Sequence, residues 1–153
     1  MMEIKVPLYA ATMAIYQALS GTGAAGLEWY EGGTDIDEIE NNFKNQATFC
    51  YGILGAADAD QNNKVEDIWD YNIQLEIYSN YPGRKEVAQK LQELMAALCT
   101  LNVWDAIDNA LAMEGFKMIK MSIGPHRLNL PIRGDNGVWQ SGSLNVTMKL
   151  NQI

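Results

Sequence analysis

IWDYNIQLEIYS (residues 68–79), then NYPG (80–83), then RKEVAQKLQELMAALCTL (84–101) is the run that decides the fold. In its first part Tyr71, Ile73, Leu75 and Ile77 alternate with Asn72, Gln74, Glu76 and Tyr78. That two-residue period belongs to a strand with one buried face. Pro82-Gly83 supplies a turn. In the last part Val87, Leu91, Leu94, Met95, Leu98 and Leu101 recur at helical spacing, while Lys85, Gln89, Lys90, Gln92 and Glu93 take the other faces. A one-sided strand and a one-sided helix each need a partner, and packing one on the other satisfies both.

Working outward, Phe49, Tyr51 and Ile53 alternate with Thr48, Cys50 and Gly52, which predicts a strand over 47–54. The polar segment Ala57–Lys64 joins it to the strand from Ile68, so the two form an antiparallel hairpin. Downstream, Phe116–Ile123 is a third strand, and Leu128–Ile132 is a candidate continuation of it past Gly124. Asn136-Gly137 signals a tight turn. In the closing strand, 138–151, Leu144, Val146, Met148 and Leu150 alternate with Asn145, Thr147, Lys149 and Asn151. Upstream, Pro7–Ser20 reads as a helix with Val6, Ala10, Met13, Ile15, Tyr16 and Leu19 on its apolar face, ended by Gly21 and Gly23. Trp29-Tyr30 suggests a short extended piece. Val103–Gly115 leaves two readings open, a short helix or an irregular connection. The expected fold is α+β: an antiparallel sheet of about four strands packed against one long amphipathic helix plus an N-terminal helix, in one domain spanning 1–153. Polar residues on the second face of two strands (Asn72, Gln74, Glu76; Asn145, Thr147, Lys149) predict a sheet surface open to solvent or to an assembly.

The chain has 153 residues, enough for a real core without staples. Its net charge of −8 and eleven basic residues spread thinly along the sequence argue against nucleic acid and against an anionic membrane surface. The N-terminus, Met-Met-Glu-Ile-Lys-Val-Pro, lacks the basic segment and apolar run of a secretion signal. No apolar stretch reaches the ~20 residues that cross a bilayer. Retention in a cytoplasm is the expectation. Cys50 and Cys99 are expected as two buried, reduced thiols, with a bridge between them left open.

Candidate chemistry is sparse. His126, the single histidine, sits between Pro125 and Arg127 with no nucleophile turn around it. Asp58, Asp60 and Asn62 place oxygens at alternate positions as a calcium loop does, yet Asn63 stands where that loop needs Gly and Trp69 where it needs Glu, so a polar hairpin loop is the leading reading. Asp35, Asp37, Glu38 and Glu40 read as a solvated acidic loop. Gly21-x-Gly23-x-x-Gly26 matches a dinucleotide pattern in letters, but it follows a helix instead of a strand. No catalytic residue, metal or cofactor is expected, and the chain does not read as an enzyme. Trp29, Tyr30, Trp69, Tyr78, Tyr81, Trp104 and Trp139 either cap the ends of the core or furnish an interface.

The order strand Tyr71–Tyr78, turn Tyr81-Pro82-Gly83, amphipathic helix, strand Phe116–Ile123 and closing strand GVWQSGSLNVTM (137–148) resembles the tail completion, or tail terminator, proteins of long-tailed bacteriophages and prophages. The N-terminal helix ahead of a strand pair fits the same layout. The resemblance implies a structural virion protein, assembled in the host cytoplasm, that forms a ring, typically a hexamer, on the head-proximal end of the tail. Its implied partners are further copies of itself, the tail tube protein and a head-completion protein. A ring requires head-to-tail contacts that close. The expected contact regions are Gly124–Gly137 and Ala57–Val65, with Trp69, His126, Arg127, Arg133 and Trp139 as interface residues. The alternative is a small-ligand or cation-binding α+β module.

Overall fold

The computed structural model describes residues 5–35, 38, 39, 49–61, 67–134 and 137–153. In chain order they form helix α1 (Leu8–Thr22), a 3₁₀ turn (Ala24–Gly26), strands β1 (Glu28–Glu31), β2 (Cys50–Gln61) and β3 (Ile68–Ser79), helices α2 (Lys85–Leu98) and α3 (Leu101–Met113), and strands β4 (Phe116–Leu128), β5 (Ile132–Gly134) and β6 (Gly137–Gln152). The strands make one sheet in the order β1-β2-β3-β6-β4, with β5 paired to β6. All pairs are antiparallel except β1 with β2. The α+β class stands. The strand count rises from about four to six because Glu28–Glu31 and Ile132–Gly134, each too short to show a period, are held by pairing with longer neighbours.

β3 alternates without a break, and its partner β6 buries Leu144, Val146, Met148 and Leu150 on the same side. α2 lays Val87, Leu91, Leu94 and Leu98 on that face, as its periodicity requires. The approach is close at Gly142, where a Cβ would sit 2.9 Å from the Val87 side chain. Leu101 is not part of this stripe: it is 77% exposed and opens α3. The helix stops because Thr100 is extended (φ −86°, ψ 151°) and its hydroxyl accepts from the Val103 N–H, an N-cap for a new helix. The open reading of 103–115 thereby resolves as helix. α3 buries Val103, Ile107 and Leu111 among α1 and β4, and its Asp108 carboxylate accepts from the Met118 N–H at 3.0 Å.

α1 runs two residues past Ser20 before Gly23 ends it in the left-handed conformation (φ 60°). Its buried stripe is Ala10, Ala11, Ala14, Ile15, Ala18 and Leu19, and the alanines in it allow close packing. Val6, expected on that face, lies exposed ahead of the helix. Among the described residues no helix is long and apolar enough to cross a membrane.

Candidate functional site

The helices contribute to one core face of the sheet, and the other face of β2, β3, β6 and β4 carries the polar half of each alternation. Asn72, Gln74, Glu76, Asn145, Thr147 and Lys149 project there as expected. They form an ordered surface. Asn72 Nδ2 donates to Asp58 Oδ1 at 2.9 Å, and Thr147 Oγ1 donates to Asn72 Oδ1 at 2.7 Å, a ladder across three strands. Tyr78 OH and Gln74 Nε2 both donate to the Glu76 carboxylate, at 3.2 and 3.5 Å. Where β4 bulges between Ile123 and His126, shallow grooves open beside Gln74, Asn145 and Ser143.

At one end of the face the character changes. Tyr51 stacks on Tyr78 (5.7 Å between ring centres) and on Phe49 (6.3 Å), and meets Tyr30 and Trp139 edge-on. Phe49 also meets Trp139 edge-on at 5.3 Å. Ile39 and Tyr51 are buried in this second cluster, separate from the main core. Beside it a groove of about 680 Å³ runs between Ile53, Tyr78, Trp139 and Ile132, with Glu76 on its wall. Aromatic pairs of this geometry contribute ~0.5–1.5 kcal/mol each beyond their buried area.

The sequence-predicted positions separate in space. Trp139 belongs to this aromatic groove. His126, Arg127 and Arg133 are exposed, on β4 and β5. Trp69, expected at an interface, is 7% exposed and packs in the main core, because its strand position points with Tyr71 and Ile73 toward the helices. Trp29 is likewise buried, its ring over Gly52, where a Cβ would lie 2.5 Å from it. The aromatic set thus divides, part capping the core and part facing outward. Tyr51 and Phe49 were legible only as strand residues, since periodicity does not say that one end of a polar face turns aromatic.

Of the candidate cation residues, Asp58 and Asp60 lie in β2, paired with Asn72 and Asp70. Asn62 lies outside the described residues, as do Asp37 and Glu40 of the acidic segment. Among the described residues no group of three or more His, Cys, Asp or Glu is placed to hold a metal ion. The expected contact region Ala57–Val65 is likewise strand as far as Gln61, and Gly124–Leu128 is the second half of β4.

Nucleophile chemistry fares no better among the described residues. Both cysteines are free. Cys99 is exposed, contrary to expectation, because the helix ends beneath it. Cys50 is half-buried, and burial, helped by the Glu86 carboxylate, pushes its thiol up to about 12. Ser79, fully buried beside it, donates to Glu86 at 3.0 Å and accepts from the Tyr81 N–H, so it fastens β3 to the start of α2. Among the described residues none makes a side-chain hydrogen bond to His126. No known protein family matches the chain, and no curated protein is detectably similar to it.

Proposed function

We propose that this chain is a structural virion subunit of the tail-terminator type. It forms a ring, six copies by the resemblance, that caps the tail tube and joins it to the head through the tube and head-completion proteins. It acts by contact and carries out no catalysis. One observation supports this most: α1, α2 and α3 pack on one face of the sheet, and among the described residues the other face carries an aromatic groove at one end and a hydrogen-bonded polar ladder beyond it. Aromatic anchors beside ordered polar groups are the composition of protein-binding surfaces. A thiol held protonated fits the same reading. The experiment is to polymerise tail tube protein with and without the purified chain and to measure tube lengths by electron microscopy. Tubes that stop growing and carry added density at one end are expected. Unchanged lengths with bare ends would sink the reading.

The groove also favours a second reading. Its volume of about 680 Å³ falls in the range of small-molecule sites, roughly 300–1,000 Å³. A small-ligand module would retain a compound of defined mass in native mass spectrometry, and Trp139→Ala would release it. A clean apo mass from gently purified protein counts against this reading.

A further inference from the structure

Charge that looks scattered in the sequence is segregated across the sheet. Residues 117–153 hold five of the eleven basic residues and one acidic residue, Asp135. Within residues 28–79 the charged residues of the strands are all acidic: Glu28, Glu31, Asp58, Asp60, Asp70 and Glu76. The strands of the first stretch form one flank of the sheet, β6 and β4, and those of the second form the other, β1, β2 and β3. One row shows the consequence at single residues. Asp60 lies opposite Asp70, Asp70 opposite Lys149, and Lys149 opposite Lys120. Directly opposed like charges destabilise a sheet. Here both flanks accept that: Asp70 and Lys149 sit side by side, while Asp60 and Lys120 are left at the two ends.

Both ends lie at open edges. β1 pairs only with Tyr51–Leu54, so the half of β2 that carries Asp58 and Asp60 has no neighbour on its outer side among the described strands. β4 is the opposite edge, with Lys117, Lys120 and Arg127 exposed along it. Among the described residues Lys117, Lys120, Arg127, Arg133 and Lys149 make no ion pair within the chain. Two register shifts, Pro125 and the lysines guard β4 against adding a strand by backbone pairing. What the edge offers a partner is side-chain charge.

We infer that the chain associates head to tail with a second copy of itself, the basic β4 flank of one protomer set against the acidic β2 flank of the next. The occupant is argued from complementarity: each flank carries the uncompensated charge that the other lacks, and one molecule holds both. Two different surfaces that fit each other make a heterologous contact, which repeats until it closes into a ring. The inference builds on the assembly reading above and names the contact that reading needs. At a net charge of −8 the copies repel as wholes, so the local fields of the flanks decide whether they meet.

The test uses the full chain, with Lys120→Glu and Asp60→Lys as separate variants, in sedimentation velocity. Wild type is expected to form species larger than a dimer at low salt. It should return toward monomer as ionic strength rises from about 0.01 M to about 1 M, where the screening length shrinks from about 30 Å to about 3 Å. Each variant alone should associate about tenfold or more weakly, since mutating charges at an interface acts through these fields. An equimolar mixture of the two should recover association, because each reversed side chain then faces its opposite. Unchanged circular dichroism and unfolding midpoints in both variants exclude misfolding, and the salt series on wild type needs no variant at all. A wild type that stays monomeric at every salt, that stops at a dimer, or that ignores the swap overturns the inference. Association that follows the charges while tubes keep growing would overturn the terminator reading and keep this contact. Capped tubes whose rings are indifferent to salt and to the swap would do the reverse.

Discussion

Ala25 adopts φ 59° inside the turn that links α1 to β1. An L-residue with a Cβ pays ~1–2 kcal/mol in that region, and glycine does not. The conformation is held from outside: Lys90 Nζ, reaching across from α2, donates to the Ala25 carbonyl at 3.0 Å. Ala25→Gly should therefore stabilise the protein, by about 0.5–1 kcal/mol once the freer unfolded chain is counted, read as a higher urea midpoint at unchanged slope. Two acids, one half-buried and one buried, shape the response to alkali. Burial raises the Cys50 thiol from 9.0 to about 12, and burial raises the Tyr71 phenol from 10.0 to about 12 against the opposing hydrogen bond shared with Thr12. Both folded values lie above the unfolded ones, so between about pH 9 and 12 the unfolded chain has released protons that the folded chain still holds. Stability is then complete below about pH 9 and falls as pH rises toward 12. Urea midpoints across that range should decline, and Cys50→Ala should flatten the slope. The same difference predicts thiol labelling: near pH 8 one equivalent of alkylating reagent adds quickly, at exposed Cys99, and the second adds only after denaturation, counted by intact mass.

At the scale of elements, the break between α2 and α3 rests on Thr100. Its hydroxyl accepts from the Val103 N–H and donates to the Ala97 carbonyl, so it serves the end of one helix and the start of the next. Thr100→Ala should cost about 1 kcal/mol, measured in urea, and Thr100→Ser should recover most of it. The sequence stripe ran on to Leu101 because spacing alone cannot see a cap in extended conformation. β2 illustrates the same limit. Beyond Leu54 its register shifts before resuming at Ala57, which breaks the alternation that marks a strand, so Ala57–Gln61 read as a loop although each residue is paired with β3. Long strands with unbroken periods, β3 and the buried part of β6, were legible to within a residue or two, as was the apolar stripe of α2.

For the whole molecule, two clusters divide the labour. The main core lies between sheet and helices, and the smaller aromatic cluster lies on the far side around Tyr51. Trp139→Ala should remove ring contacts with Phe49 and Tyr51 and cost about 2 kcal/mol, less than a fully buried tryptophan would, with far-UV circular dichroism preserved. Under the assembly reading the same variant weakens tube capping at a concentration where the protein remains folded. Loss of all secondary structure instead would place Trp139 in the core.

The sequence by itself determined the elements with strong periods, the α+β class, and the existence of a polar sheet face. Those follow from local spacing, which fixes the side a residue takes in its own strand or helix. Tertiary structure alone decided which residues meet. It buried Trp69, gathered Tyr30, Phe49, Tyr51, Tyr78 and Trp139 into one cluster beside a groove, and lined Asp60, Asp70, Lys149 and Lys120 into a row. Sheet order sets these neighbours, and β6, the last strand in the chain, inserts between β3 and β4. A pattern read along the chain carries no record of that order, so the surface on which a function can rest becomes visible only when the strands are in place.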